Sequence, residues 1–122
     1  RTIAIWGLSF KPRTDDMREA PSVVIINSLL QAGARVTAHD PAAMNEAYRI
    51  FKDRIVLAED SYEALKGADA LAVVTEWNEF RTPDFHRMKK LMRSPVIFDG
   101  RNIFNREELR KMGFIYYGMG RT

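Results

Sequence analysis

Short apolar runs alternate along the chain with segments whose apolar residues recur every third or fourth position. This alternation predicts an α/β domain with a largely parallel sheet. Thr2-Ile3-Ala4-Ile5-Trp6 is the first strand. After a long polar connection, Pro21-Ser22 opens a helix with Val23, Val24, Ile26, Leu29 and Leu30 on helical spacing, and Gly33 stops it. Residues 35–39 form a second strand ended by Asp40-Pro41, because proline restricts the residue before it and cannot donate to a ladder. Residues 42–52 read as a short helix, 55–57 as a brief strand, and 61–66 as another helix with Ser61 as its cap. Ala70-Leu71-Ala72-Val73-Val74 has the continuous apolar character of a strand buried on both faces, near the sheet centre. Thr82-Pro83 starts a helix running to about Met92, and Pro95 marks its break. Residues 96–98 are the next strand, 106–112 a helix, and 114–117 the strand that closes a sheet of five or six strands. The chain shows no internal repeat, low-complexity tract or linker.

Composition narrows the class. With 122 residues, 46% hydrophobic and 29% charged, the chain is one ordinary domain large enough to bury its own core. No apolar run approaches the roughly 20 residues that span a bilayer, and no leader-like segment opens the chain, so a non-membrane, cytoplasmic protein is expected. Arg1-Thr2 leads straight into a strand without an initiating methionine, which predicts a piece of a longer polypeptide. The absence of cysteine excludes disulfides, thiolate metal sites and cysteine nucleophiles within these residues. The net charge of +3 comes from 19 basic against 16 acidic residues, mostly interspersed. The densest basic runs, Arg87-Met88-Lys89-Lys90 and residues 106–111, read as solvated helix faces, and no nucleic-acid reading motif accompanies them.

Chemistry concentrates where an α/β fold builds its binding site, beyond the carboxyl ends of the strands. Three polar segments follow apolar strands: residues 7–20, then Thr75-Glu76-Trp77-Asn78, then Asp99-Gly100-Arg101-Asn102. The first is longer than strand-to-helix closure requires. Together they carry Lys11, Arg13, Arg18 and Arg101, with Phe10 and Trp77 as stacking or packing surfaces. That combination suits a phosphorylated ligand carrying a ring, since lysine supplies a compact charge and arginine a bidentate fork for phosphate oxygens. Plainer readings stand beside it. Lys11 is equally a solvated loop lysine, and Arg18 reads first as a partner of Asp15, Asp16 or Glu19. Asp15-Asp16 fits a turn cap or an orienter of cations better than a metal site. Arg101 is equally a turn residue, with Gly100 allowing a positive φ and close approach of a ligand. Trp77 reads first as rim packing, and His39 and His86 as structural or solvated. No serine has a nucleophile context and no GxGxxG fingerprint is present, Gly7-Leu8-Ser9 supplying only its first glycine. Trp6-Gly7 and Val74-Thr75 stand where a receiver-type signalling domain would need acidic residues.

The run from Gly7 to Pro21, Gly-Leu-Ser-Phe-Lys-Pro-Arg-Thr-Asp-Asp-Met-Arg-Glu-Ala-Pro, closely resembles the opening of the C-terminal, UDP-binding domain of the UDP-glucose/GDP-mannose dehydrogenase family. Thr75-Glu76-Trp77, Phe98-Asp99-Gly100-Arg101-Asn102 and Tyr116-Tyr117-Gly118-Met119-Gly120-Arg121 resemble that domain's later signatures, in order and over nearly the whole chain. The resemblance implies a Rossmann-like three-layer α/β sandwich forming one sugar-nucleotide-binding domain, residues 1–122, of a larger NAD-dependent enzyme. The family oxidises a sugar C6 alcohol to a carboxylate in two hydride transfers to two NAD. Carried over by position, Phe10 and Lys11 contact the sugar nucleotide, Arg101 contacts the substrate, and Arg18 reaches an NAD bound mainly by a domain outside the chain.

Thr14-Asp15-Asp16-Met17-Arg18-Glu19 looks more like the UDP-glucose branch than the GDP-mannose branch, which implies UDP-glucose and UDP-glucuronate as ligands and the remaining domains of a homo-oligomeric parent as partners. The family's cysteine nucleophile and glycine-rich NAD fingerprint are absent here, so the isolated chain is expected to bind weakly and turn nothing over. Domains acting on GDP-mannose or UDP-N-acetylhexosamine are the alternatives within the family. A freestanding nucleotide-binding regulatory module is the alternative outside it, and a basic nucleic-acid binder a distant third.

Overall fold

The computed structural model describes residues 1–119, and Gly120 and Arg121 of the last quoted motif lie outside them. Six strands form one sheet: β1 (Thr2–Trp6), β2 (Arg35–His39), β3 (Val56–Leu57), β4 (Ala70–Val73), β5 (Val96–Asp99) and β6 (Ile115–Gly118). Their order is β3-β2-β1-β4-β5-β6, and every neighbouring pair is parallel. The order reverses between β1 and β4, so the crevice of a doubly wound sheet opens beyond the carboxyl ends of those two strands.

Four helices connect the strands: α1 (Pro21–Gln31), α2 (Met44–Phe51), α3 (Phe85–Leu91) and α4 (Arg106–Lys111). Pro21 occupies the first helical position of α1, where its missing N–H costs nothing. Gly33, at φ +87°, ends that helix as its position in the sequence predicts. Alternation along β1 then divides the core. Ile5 packs with Ile26 of α1, Ala38 of β2, and Ala47 and Phe51 of α2. Ala4 and Trp6 face the other way, toward Leu71, Val73, Ile97, Met88 of α3 and Leu109 of α4. Trp6 stacks on Phe80, ring centroids 5.0 Å apart, and donates its Nε1–H to the Ser61 carbonyl.

Local expectations fail where a side chain outcompetes the predicted cap. Residues 61–66 hold only a 3₁₀ turn, Glu63–Leu65, and the carboxylate that meets the N–H groups at its start, those of Tyr62 and Glu63, is that of Asp60 rather than the Ser61 hydroxyl. Helix α3 starts after Asp84, which accepts from Arg87 N–H, so Thr82-Pro83 lies ahead of it. A 3₁₀ turn, Asn78–Phe80, precedes it and sinks Phe80 into the core. Strand β4 is central, yet Ala72 is only half-buried because no helix crosses its face.

Candidate functional site

The crevice is built on backbone continuity between strands. Gly7 N–H donates to the His39 carbonyl (2.9 Å) and Val74 N–H to the Trp6 carbonyl (2.9 Å), joining the ends of β1, β2 and β4. Gly7 has φ +98°, and a Cβ there would stand 2.4 Å from Thr75 Cβ, so only glycine lets the chain leave β1 this close to its neighbour. Thr75 Oγ1 donates to the Ser9 carbonyl (2.6 Å) and Ser22 Oγ to the Leu8 carbonyl (2.6 Å), fixing the first turn of the long loop from both sides.

Asp40 is the hub of this arrangement. Its side chain lies inside the fold, the residue 1% exposed. Oδ2 accepts from Leu8 N–H (2.8 Å), Ser9 N–H (3.3 Å) and Trp77 Nε1–H (3.1 Å), while Oδ1 accepts from Ala42 and Ala43 N–H (2.8 Å each). A carboxylate satisfied by this many donors is stable inside a protein because each bond to it is charge-assisted. In the sequence Asp40 marks only the end of a strand; the signal for its role is an acid directly following a strand, on the carboxyl edge of the sheet. Trp77 is thereby a rim residue held by hydrogen bonding as well as packing. His39 is structural: Nδ1–H donates to the Ala58 carbonyl (2.8 Å) and Nε2 lies 3.8 Å from Glu79.

From this anchored base the loop carries Phe10 and Lys11 into solvent, with the ammonium of Lys11 5.5 Å from the centroid of the Phe10 ring. Phe10 N–H donates to the Asp16 carbonyl (3.0 Å), closing residues 10–16 into a compact excursion. Arg13 and Glu19 adopt φ of +63° and +57°, an uncommon conformation for side-chain-bearing residues that marks a constrained loop. Arg18 pairs with Asp16 through two bonds, Nε–H to Oδ1 (3.0 Å) and Nη2–H to Oδ2 (2.9 Å). This pairing holds the Asp16 carboxyl down at about 2. The ion pair read from the sequence is therefore present, and Asp16 orients the cation. The remaining N–H groups of Arg18 have no partner among the described residues, and its side chain is largely exposed.

Arg101 reaches this loop from β5. Its Nε–H donates to the Val74 carbonyl (2.8 Å), Nη2 approaches the Phe10 carbonyl (3.4 Å), and Nη1 lies 3.8 Å from Glu76. One guanidinium thus spans all three polar segments. The expectation for Gly100 is corrected: its φ is not positive, and the group that excludes a side chain there is the Val73 carbonyl, 2.9 Å from where a Cβ would sit. Asp99, also buried, holds the turn by accepting from Phe104 N–H (3.0 Å) and the Tyr116 hydroxyl (2.8 Å).

Phe10, Lys11, Arg18 and Arg101 therefore gather on one edge, with Phe10, Asp16, Arg18 and Glu19 lining a shared recess. Arg13 lines a separate groove with Trp77 and Arg81. Among the described residues no cluster of metal-ligating side chains occurs, and no helix is long and apolar enough to cross a membrane. The arrangement can hold an anionic ring-bearing ligand; it offers no cysteine for nucleophilic chemistry.

A parallel sheet in the order 3-2-1-4-5-6 with a long, densely charged loop over its switch point defines a Rossmann-like α/β domain. Residues 4–106 match the profile of the UDP-glucose/GDP-mannose dehydrogenase family, UDP binding domain, and the chain belongs to that family. It is 48% identical to a UDP-glucose 6-dehydrogenase of Pseudomonas aeruginosa over 99% of its own length, which is 28% of that relative's. It is 43% identical to UDP-glucose 6-dehydrogenase TuaD of Bacillus subtilis, covering 99% of this chain and 26% of the other. The UDP-glucose dehydrogenase of Pyrobaculum islandicum superposes with a TM-score of 0.80 at 33% identity, over 97% of this chain and 25% of that one. The NDP-N-acetyl-D-galactosaminuronic acid dehydrogenase of Methanosarcina mazei superposes with a TM-score of 0.85 at 31% identity, over 98% and 24%. The chain thus spans roughly a quarter of each of these relatives.

Proposed function

We propose that this chain is the sugar-nucleotide-binding domain of an NAD-dependent UDP-glucose 6-dehydrogenase. The observation that carries the reading is 48% identity to such an enzyme over 99% of the chain, with the four expected contact residues on one edge of the switch-point crevice. In this assignment Phe10 and Lys11 contact the sugar nucleotide and Arg101 the substrate. The network on Asp40 keeps the loop in place before ligand arrives, so less ordering cost falls on binding. Arg18, exposed and with N–H groups to spare, fits the margin of an NAD site whose main walls lie in another domain. When bound there, NAD would accept hydride; the residues of this chain orient the nucleotide sugar toward it.

On this reading the longer polypeptide works in the cytoplasm as a homo-oligomer, taking UDP-glucose to UDP-glucuronate. A second reading, an N-acetylhexosamine substrate, draws on the Methanosarcina mazei superposition, though sequence identity favours glucose. Calorimetric titration of the chain with UDP-glucose, UDP-N-acetylgalactosamine, UDP, GDP-mannose and a short DNA duplex discriminates these readings. UDP-ligand binding weakened by Lys11→Ala and by Arg101→Ala is the expected result, and preference for UDP-N-acetylgalactosamine would move the assignment to the second reading. Binding indifferent to the base, or confined to DNA and steeply salt-dependent, would refute both.

A further inference from the structure

The helices cover the sheet unequally. Helices α1 and α2 pack over β1, β2 and β3 on one side, and α3 and α4 pack over β4, β5 and β6 on the other. The first side therefore lacks a helix over β4–β6. Register places Ala72, Phe98 and Tyr117 in one row there, with Val96 beside Ile115 in the next. Phe98, Ile115 and Tyr117 are 46%, 51% and 54% exposed. The Phe98 and Tyr117 rings stack 5.0 Å apart at 12°, forming a flat apolar platform. Between it and α1 runs a groove of about 280 Å³ lined by Ile3, Ile25, Leu29, Ala72 and Phe98.

Parallel sheets are ordinarily covered on both faces. Half of a large side chain is about 100 Å² of surface, so these three side chains leave on the order of 300 Å² of apolar area exposed. A free-standing association of two molecules buries about 800 Å² per partner, more than twice that amount. A second copy of the chain would therefore be held poorly, whereas a segment tethered to the same polypeptide docks at an effective concentration in the mM range for short linkers and needs less area. The relatives supply the source of such a segment, since roughly three-quarters of their length lies outside the part this chain matches.

We infer that this face is the docking surface for an amphipathic helix from the part of the dehydrogenase polypeptide outside this chain. The helix lies beside α1 with its apolar stripe on Phe98 and Tyr117. The inference rests on reading the chain as one domain of that longer polypeptide.

The chain has no cysteine, so Tyr117→Cys introduces a single thiol on the platform, and Lys90→Cys a single thiol on α3, across the sheet. Maleimide labelling of each is followed by mass spectrometry of the peptide that carries it, in the 122-residue chain and in the longer polypeptide. Protection in the longer polypeptide should slow labelling at Tyr117→Cys about tenfold or more and leave Lys90→Cys within about twofold. Ile115→Cys is the second probe of the same face should Tyr117→Cys fold poorly. Equal rates at the platform in both contexts would overturn the inference. So would labelling that slows with concentration in the chain alone, together with sedimentation as a dimer, which would assign the face to a second copy. UDP affinity measured on the same samples reports the nucleotide-sugar reading separately, because the platform thiol and the nucleotide are detected independently.

Discussion

Removing the Asp40 carboxylate should loosen the whole loop that carries Phe10 and Lys11. In Asp40→Ala, five N–H donors lose their acceptor: those of Leu8, Ser9, Ala42, Ala43 and the Trp77 indole. The Leu8, Ser9 and Ala43 bonds are buried, so water cannot readily replace them. At roughly 1–2 kcal/mol for each buried donor left unsatisfied, the loss is about 4 kcal/mol. Asp40→Asn keeps one acceptor oxygen but turns an NH₂ toward the other set of donors, and about 2 kcal/mol is expected. For a domain of ordinary stability, about 5–15 kcal/mol, the alanine variant stays folded but close to the margin. Urea unfolding followed by tryptophan fluorescence measures this, with Trp77 reporting from the site itself. With a urea slope of about 1.5 kcal/mol/M, the midpoint should drop by about 2.7 M for alanine and about 1.3 M for asparagine. Trypsin should also cleave after Arg13 faster in both variants. The competing effect is desolvation, because burying a carboxylate is itself costly and an apolar replacement can be neutral. An Asp40→Ala midpoint within about 0.3 M of the parent would mean desolvation cancels the hydrogen bonds, and the hub account would be wrong.

The Asp16 carboxyl, lowered from 3.8 to about 2 chiefly by its hydrogen bond from the Arg18 side chain, contributes loop stability that is present above pH 3.8 and lost as pH falls toward 2. NMR titration of Asp16 in Arg18→Ala should bring its pKa back toward 3.8, and an unchanged value would refute the pairing. Gly7→Ala combines φ +98° with a 2.4 Å clash against Thr75 Cβ and should destabilise by about 3 kcal/mol. Gly33→Ala, at φ +87° with nothing within 4 Å, should cost only about 1 kcal/mol. Thermal unfolding of the two ranks them, and equal costs would discard the steric account. The purified chain supplied with UDP-glucose and NAD should form no NADH above background at 340 nm, whereas steady turnover would show that the missing thiol is not needed.

Secondary structure was legible wherever a local signal decided it. Pro21 and Gly33 bracket α1 because one lacks a donor the helix start does not use and the other accepts φ +87°. Strands β1 and β4 announce themselves by apolar runs, and β2 by the Asp40-Pro41 that ends it. The segments misread, residues 61–66 and 82–92, are those where Asp60 and Asp84 compete with nearby serine, threonine and proline for the helix start, a contest settled by which carboxylate reaches the free N–H groups.

What the sequence determined by itself was the class of fold, the family, and the loop that carries Phe10, Lys11 and Arg18, because periodicity and motif are properties of neighbours along the chain. The tertiary structure alone decided that Asp40 grips a turn 32 residues away, that Arg101 spans three loops, and that one apolar face of β4–β6 stands bare. The physical reason lies in the partners. Asp40 and Arg101 bond mainly to backbone N–H and C=O groups, which every residue carries alike, so no residue type marks the bond. Which backbone groups come within reach depends on sheet order and register, and those exist only once the strands have packed.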